Sequence, residues 1–147
     1  MLVGSVSVSA KKNKTINGTI KHLTEIIKQY AKEYTKSRDL LAEVIYYENW
    51  HTDKDKLTAR WTGAVVMNRV LSKNWPDTVY DVLYQRGQYT TTKYFFTKEL
   101  PQEVYEMADD ILKNGTPEVP GNVVYQATFL QGSGLWKKLN GECFCYE

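Results

Sequence analysis

Apolar residues recur at three- and four-residue intervals from Thr19 onward, and Ile20, Leu23, Ile26, Ile27, Tyr30 and Tyr34 mark one face of an amphipathic helix. The other face carries Lys21, Lys28 and Lys32, either a solvated surface or one drawn to an anionic polymer. Before Thr19 the Ser, Thr, Asn and Lys residues follow neither a helical nor an alternating period, so the stretch to Gly18 reads as a flexible lead-in. Ser37 supplies an N-cap for a second helix, LLAEVIYYE, with Asp39 adding negative charge to its first turn. A polar loop, NWHTDKD, separates this helix from a third, running from about Lys56 to Leu71 and ended by Asn74-Trp75-Pro76. A short helix, DTVYDVLY, follows.

From Gly87 the Tyr- and Thr-rich stretch GQYTTTKYFFTKE suits extended or loop structure. Pro101 at the first helical position and Gly115 past the last bracket a further helix, EVYEMADDILKN. Beyond the breakers of TPEVPGN, the segments VVYQATF and ECFCY read as two strands around QGSG. No internal repeat or low-complexity tract intervenes. Helices first and a β-hairpin last predict an α+β fold, mainly helical with a small C-terminal hairpin or sheet.

With 147 residues, 42% of them hydrophobic, the chain can bury a core without a metal or disulfide staple. Its net charge of +2 makes no chain-wide case for nucleic acid. The charge is unevenly spread, because residues 1–36 hold seven Lys and two Glu. The expected organisation is a basic N-terminal extension and helix over 1–36 and an acidic body over 37–147, packed as one globular unit. The first ten residues lack the features of a secretory signal, and no apolar run reaches the length of a membrane span. Cys143 and Cys145 would share one face of a strand about 7 Å apart, too far for an unstrained disulfide. With only His22 and His51 as further soft ligands, no metal site and no cofactor are implied.

Glu48 is the most informative residue. Leu41, Val44, Ile45 and Glu48 follow the i, i+3, i+4, i+7 stripe, which puts Glu48 within about 20° of Leu41 on an α-helix. A carboxylate thus occupies the apolar face, where desolvation and the nearby helix C-terminus would both raise its pKa, as a general acid requires. If the helix instead frays at Tyr47, Glu48 reaches solvent. Glu43, on the opposite side of the same helix, should face water. In the third helix Asn68 shares a stripe with Trp61, Ala64 and Val65, so it orients Glu48 or a substrate, or else ties down a loop. Arg69 beside it contacts an acid or substrate if it is not a surface residue.

The chain has 11 Tyr, 4 Trp and 4 Phe, more than one small core needs. Trp50, Tyr84, Tyr89, Tyr94, Tyr125 and Trp136 fall in or beside predicted loops, where aromatic faces can stack on sugar rings. Together with an inward Glu and the amides Gln85, Gln88 and Gln126, they favour a polar polymer such as a glycan over an apolar ligand.

The ordered set LAEVIYYEN, GAVVMNRV, VYDVLYQRGQYT, VVYQATF and the closing W–KKLNGECFCY resembles the cell wall hydrolase family of spore cortex-lytic, SleB-like enzymes, over about Leu40 to Tyr146. The resemblance implies a lysozyme-like α+β fold acting on peptidoglycan glycan strands, often as a lytic transglycosylase, with Glu48 as the catalytic acid. It matches Asn68-Arg69 to the family's Asn-Arg pair, and Tyr84, Gln85, Gly87, Gln88, Tyr89 and Thr90 to a Tyr-Gln…Gly-Gln motif. The expected substrate-binding set is Asn68, Gln85, Gln88, Tyr89, Thr90, Tyr125, Gln126 and Trp136.

Two departures stand out: the loop after Glu48 lacks the family's Gly and second Glu, and Trp61 replaces a small residue. The expected reaction is lytic cleavage of MurNAc-β-1,4-GlcNAc bonds. The alternatives are hydrolysis, with Asp53 or Asp55 as second carboxylate, and a noncatalytic glycan-binding module. The expected partner is peptidoglycan, with no nucleic acid and no membrane span, for a monomer acting in the cell wall or outside the cell, on spore cortex or as a phage-released lysin.

Overall fold

The computed structural model describes residues 3–51 and 56–147. Helix α1 runs unbroken over Val3–Ile45, so the expected lead-in is helical and Ser37 lies inside the helix instead of capping one. The reason is local. No Pro occurs and no Gly follows Gly18 in this stretch, and the hydroxyls of Thr15, Thr19 and Thr24 bond carbonyls four residues back at 3.1, 3.1 and 2.8 Å. Side chains that compete with a helix elsewhere are here folded onto it. The chain divides into two units, Met1–Lys36 and Ser37–Glu147, with the boundary inside α1. In the first unit Ile20, Leu23, Ile27 and Tyr30 are all more than half exposed.

In the second unit, α2 (Leu57–Leu71), α3 (Val79–Leu83) and α4 (Gln102–Asn114) surround the end of α1. Thr78 caps α3 by accepting from the Asp81 N–H at 3.0 Å. Gly115, at φ 70°, ends α4 as its residue type predicts, and Pro101 stands at the N-cap, one place before the first helical position expected for it. The core joins Leu41, Val44 and Ile45 of α1 to Val66, Val82, Leu83, Val104 and Ile111. Gly63 permits this approach, since a Cβ there would lie 2.6 Å from Cδ1 of Ile111. Glu43 does not face water: it is 1% exposed, in reach of the Phe96 N–H and of Tyr84, Tyr105 and Lys98. The chain around Phe96 covers the side of α1 that a helical wheel leaves open.

Three antiparallel strands close the chain, β1 (Val123–Ala127), β2 (Gly134–Leu139) and β3 (Glu142–Tyr146), in the order β1-β3-β2. The two-strand expectation missed β2, and the last strand is the central one. Asn140 and Gly141 both have positive φ, 48° and 84°, and join β2 to β3 in a two-residue turn that pairs Leu139 with Glu142. A second apolar cluster lies between α2 and the sheet, where the Trp61 ring sits 4.7 Å from Trp136 and 5.1 Å from Phe144. Cys143 and Cys145 are buried free thiols. Within the loop-like stretch after Gly87, Thr90–Tyr94 forms a 3-10 turn.

Candidate active site

At its C-terminal end α1 passes into a π-helical segment, Tyr46–Trp50, whose wider turn is a feature often found at functional sites. Glu48 sits in this segment, half-buried, and lines a cleft of about 360 Å³ with Arg69, Gln88, Tyr89, Gln126 and Glu142. The helix neither frays there nor keeps Glu48 stacked above Leu41; the π turn re-aims it. Thr91, in the 3-10 turn, donates its hydroxyl to Oε1 of Glu48 at 2.5 Å.

Glu142, the first residue of β3, is a second carboxylate in the cleft, and the sequence reading missed it. The two acids considered for that role, Asp53 and Asp55, lie outside the described residues. Gln126 and Glu142 are diagonal neighbours across the β1–β3 ladder, and Nε2 of Gln126 donates to Oε2 of Glu142. From the π segment, with the Asn49 amide turned so that its nitrogen faces acceptors and its oxygen faces donors, Nδ2 donates to Oε1 of Glu142 at 3.2 Å and to the Glu48 carbonyl at 3.2 Å. In that orientation the Asn49 oxygen accepts from Gln126 Nε2 at 2.7 Å and lies 2.7 Å from Thr62 Oγ1, whose hydroxyl donates to the Thr58 carbonyl at 3.0 Å. Burial pushes the Glu142 carboxyl above the ordinary range and the charge of Glu48 adds to this, while the bonds from Gln126 and Asn49 oppose both. The available signal was Asn140-Gly141, a hairpin dipeptide that makes Glu142 the first residue of a strand.

Arg69 is 4% exposed, not a surface residue. Its Nε donates to the Val124 carbonyl at 2.7 Å and its Nη1 to Oε1 of Gln88 at 3.0 Å. Val124 falls where the β1 register shifts between Val123 and Tyr125, a bulge that frees its carbonyl for Arg69. The guanidinium lies 4.2 Å from the Trp75 ring centroid and 5.4 Å from that of Tyr89. Burial raises the pKa of the Tyr89 phenol, Arg69 lowers it, and Glu48 and Glu142 raise it, so it is a neutral hydrogen-bond donor at ordinary pH.

Of the expected substrate-binding residues, the cleft gathers Gln88, Tyr89 and Gln126. The others have different surroundings. Asn68 donates both Nδ2 hydrogens, to the carbonyls of Pro120 and Val123 at 2.9 Å each, and so ties the approach to β1 onto α2. Tyr125 packs edge-on against Trp75, and Trp136 packs against Trp61 in the second core cluster. Gln85 and Thr90 are exposed and outside the cleft lining. Among the described residues no group of three His, Cys, Asp or Glu is placed to hold a metal, and no helix is long and apolar enough to cross a membrane.

Residues 53–142 match the family model described as Cell Wall Hydrolase, a span that holds Arg69, Gln88, Tyr89, Gln126 and Glu142 of the cleft and begins after Glu48. Among curated proteins and solved structures no significant match is found. The matched span exceeds half of the chain and contains most of the cleft wall, and on that basis the chain belongs to the cell wall hydrolase family.

Proposed function

We propose that the chain cleaves peptidoglycan glycan strands at MurNAc-β-1,4-GlcNAc bonds as a lytic transglycosylase, with Glu48 as general acid and then base. The supporting observation is the half-buried Glu48 carboxylate, oriented by Thr91, in a cleft shared with Arg69, Gln88, Tyr89 and Gln126. Amides and a phenol are suited to sugar hydroxyls and N-acetyl groups. Glu48 precedes the family match, so its role rests on the cleft. Protonated Glu48 gives its proton to the glycosidic oxygen as the C1–O bond breaks. Its carboxylate then takes the proton of the muramic 6-hydroxyl, which closes on C1 to form a 1,6-anhydro end. The SleB-like subgroup and a lysozyme-like fold belong to this reading.

Hydrolysis, with water replacing the 6-hydroxyl, is a second reading, and the presence of Glu142 in the cleft favours it. The test is mass spectrometry of sacculi digested by wild type and Glu48→Gln. Anhydro-ended products from wild type and a rate lower by about 10²- to 10⁴-fold in the variant are expected. Undiminished cleavage by Glu48→Gln removes Glu48 from the mechanism. Equal wall binding by both proteins, with neither clearing a wall suspension, identifies a noncatalytic glycan-binding module.

A further inference from the structure

The lytic route uses one carboxylate, yet the cleft holds two. Glu142 forms no ion pair with Lys or Arg among the described residues; its partners are the neutral amides of Gln126 and Asn49. A partly buried carboxylate beside a second one is unfavourable unless something offsets it. Gln126 shows how firmly Glu142 is held. The amide keeps its nitrogen on Glu142 and Asn49 while its own Oε1 is buried without a partner among the described residues. Both Glu142 oxygens accept N–H groups, which favours the ionised form against the burial and the Glu48 charge that raise its pKa, and a carboxylate of raised pKa is the stronger base. Asn49 joins the two acids, since one amide nitrogen bridges the backbone of Glu48 and the side chain of Glu142.

We propose that Glu142 is a second catalytic carboxylate, the base that activates water against C1, so that this cleft releases reducing ends as well as anhydro ends. The proposal rests on the Glu48 reading, because Glu48 protonates the leaving oxygen in both outcomes. Water forms the new bond to C1 and passes one proton to Glu142. The C1–O bond to the leaving sugar breaks, and its oxygen takes the Glu48 proton. Glu48 ends ionised and Glu142 protonated, and exchange with solvent restores both.

The experiment measures the ratio of reducing-end to anhydro-end products from purified sacculi, by mass spectrometry after borohydride reduction. Wild type is expected to give both. Glu142→Gln should lower the reducing-end share at least tenfold while anhydro ends persist, and Glu142→Ala with sodium azide should yield a glycosyl azide, which a merely structural residue would not. Anhydro ends alone from wild type, an unchanged ratio in Glu142→Gln, or loss of both products by folded Glu142→Gln each overturns the proposal. If Glu142→Gln does not fold, Glu142→Asp is read instead; a severalfold lower ratio supports the proposal and an unchanged one overturns it. Failure of the Glu48 reading is seen separately, as cleavage that survives Glu48→Gln.

Discussion

The Thr91 hydroxyl lies 2.5 Å from Oε1 of Glu48, linking the 3-10 turn to the π-helical end of α1. This bond restrains the carboxylate's rotamer on the cleft wall. A hydrogen bond to a charged group contributes about 1.5–3 kcal/mol, which corresponds to about tenfold to hundredfold in rate if orientation is what it supplies. Thr91→Val should therefore lower kcat on soluble glycan strands by that factor with little change in KM, and Thr91→Ser should recover most of the loss. A purely structural role would instead lower the melting temperature and leave the kcat of the remaining folded protein unchanged.

Arg69 and Gln88 separate stability from binding. Arg69→Ala orphans the Val124 carbonyl and strips the cation from Trp75 and Tyr89, so it should cost roughly 2–4 kcal/mol in chemical denaturation. Gln88 is exposed and its loss removes a single acceptor, that of Arg69 Nη1, so it should cost less, about 0.5–1.5 kcal/mol. Gln88→Ala should nonetheless weaken glycan binding, because the amide stands on the cleft wall. Equal destabilisation by the two substitutions would contradict this division of roles.

What could be read from the sequence follows from where the physical signal is stored. The ends of α3 and α4 are marked by residues whose backbone preferences act locally, such as Thr78, Pro101 and Gly115. Ser37 looks like a cap, but a cap requires the preceding residues to leave the helix, and nothing between Tyr34 and Leu40 makes them do so. β2 was missed because GLWKKL carries adjacent lysines and gains its order by pairing with β3. Glu48 draws notice in the sequence as a carboxylate in an apolar stripe, but it lines the cleft by way of the π turn and not along that stripe, which no α-helical period encodes. Glu142 draws none, because its closeness to Glu48 depends on the sheet meeting the π segment through Asn49, a tertiary contact that no periodicity encodes. Glu43 shows the converse error: a helical wheel gives an angle, and the Phe96 segment decides what covers it.

Two glycines with positive φ should respond differently to alanine. At Gly87, φ 80°, a Cβ would meet open space, so Gly87→Ala carries only backbone strain of about 1–2 kcal/mol. At Gly132, φ 57°, the same atom would lie 2.0 Å from the Tyr146 carbonyl oxygen and 2.6 Å from the Tyr125 ring. Backbone at that distance must move, and the Ser133 N–H bond to the Tyr146 carbonyl at 3.2 Å moves with it. Gly132→Ala should cost at least about 3 kcal/mol, as strain and overpacking add. Thermal melts giving equal losses would show that the approach of Gly132 to β3 is not tight.

Glu43 sets a pH dependence that is independent of catalysis. Burial raises its carboxyl pKa, the Phe96 N–H lowers it, Asp39 raises it and Lys98 lowers it, with a net upward shift. Its Oε2 is buried without a hydrogen-bond partner among the described residues. An acid whose pKa is higher folded than unfolded binds more protons in the folded state, so stability falls as pH rises through the window from the unfolded value of 4.5 to the raised folded one. Above that window the full penalty applies; below it the penalty vanishes. Glu43→Gln keeps the shape and cannot ionise, so it should stabilise the protein by about 1 kcal/mol at neutral pH, the scale of an unsatisfied buried polar group. The gain should shrink as pH is lowered toward 4.5. Melting temperatures of wild type and Glu43→Gln measured from pH 4 to pH 8 would show the two curves converging on the acid side. Curves that stay parallel, or that diverge toward acid, would mean that the buried carboxyl of Glu43 is not the group that titrates.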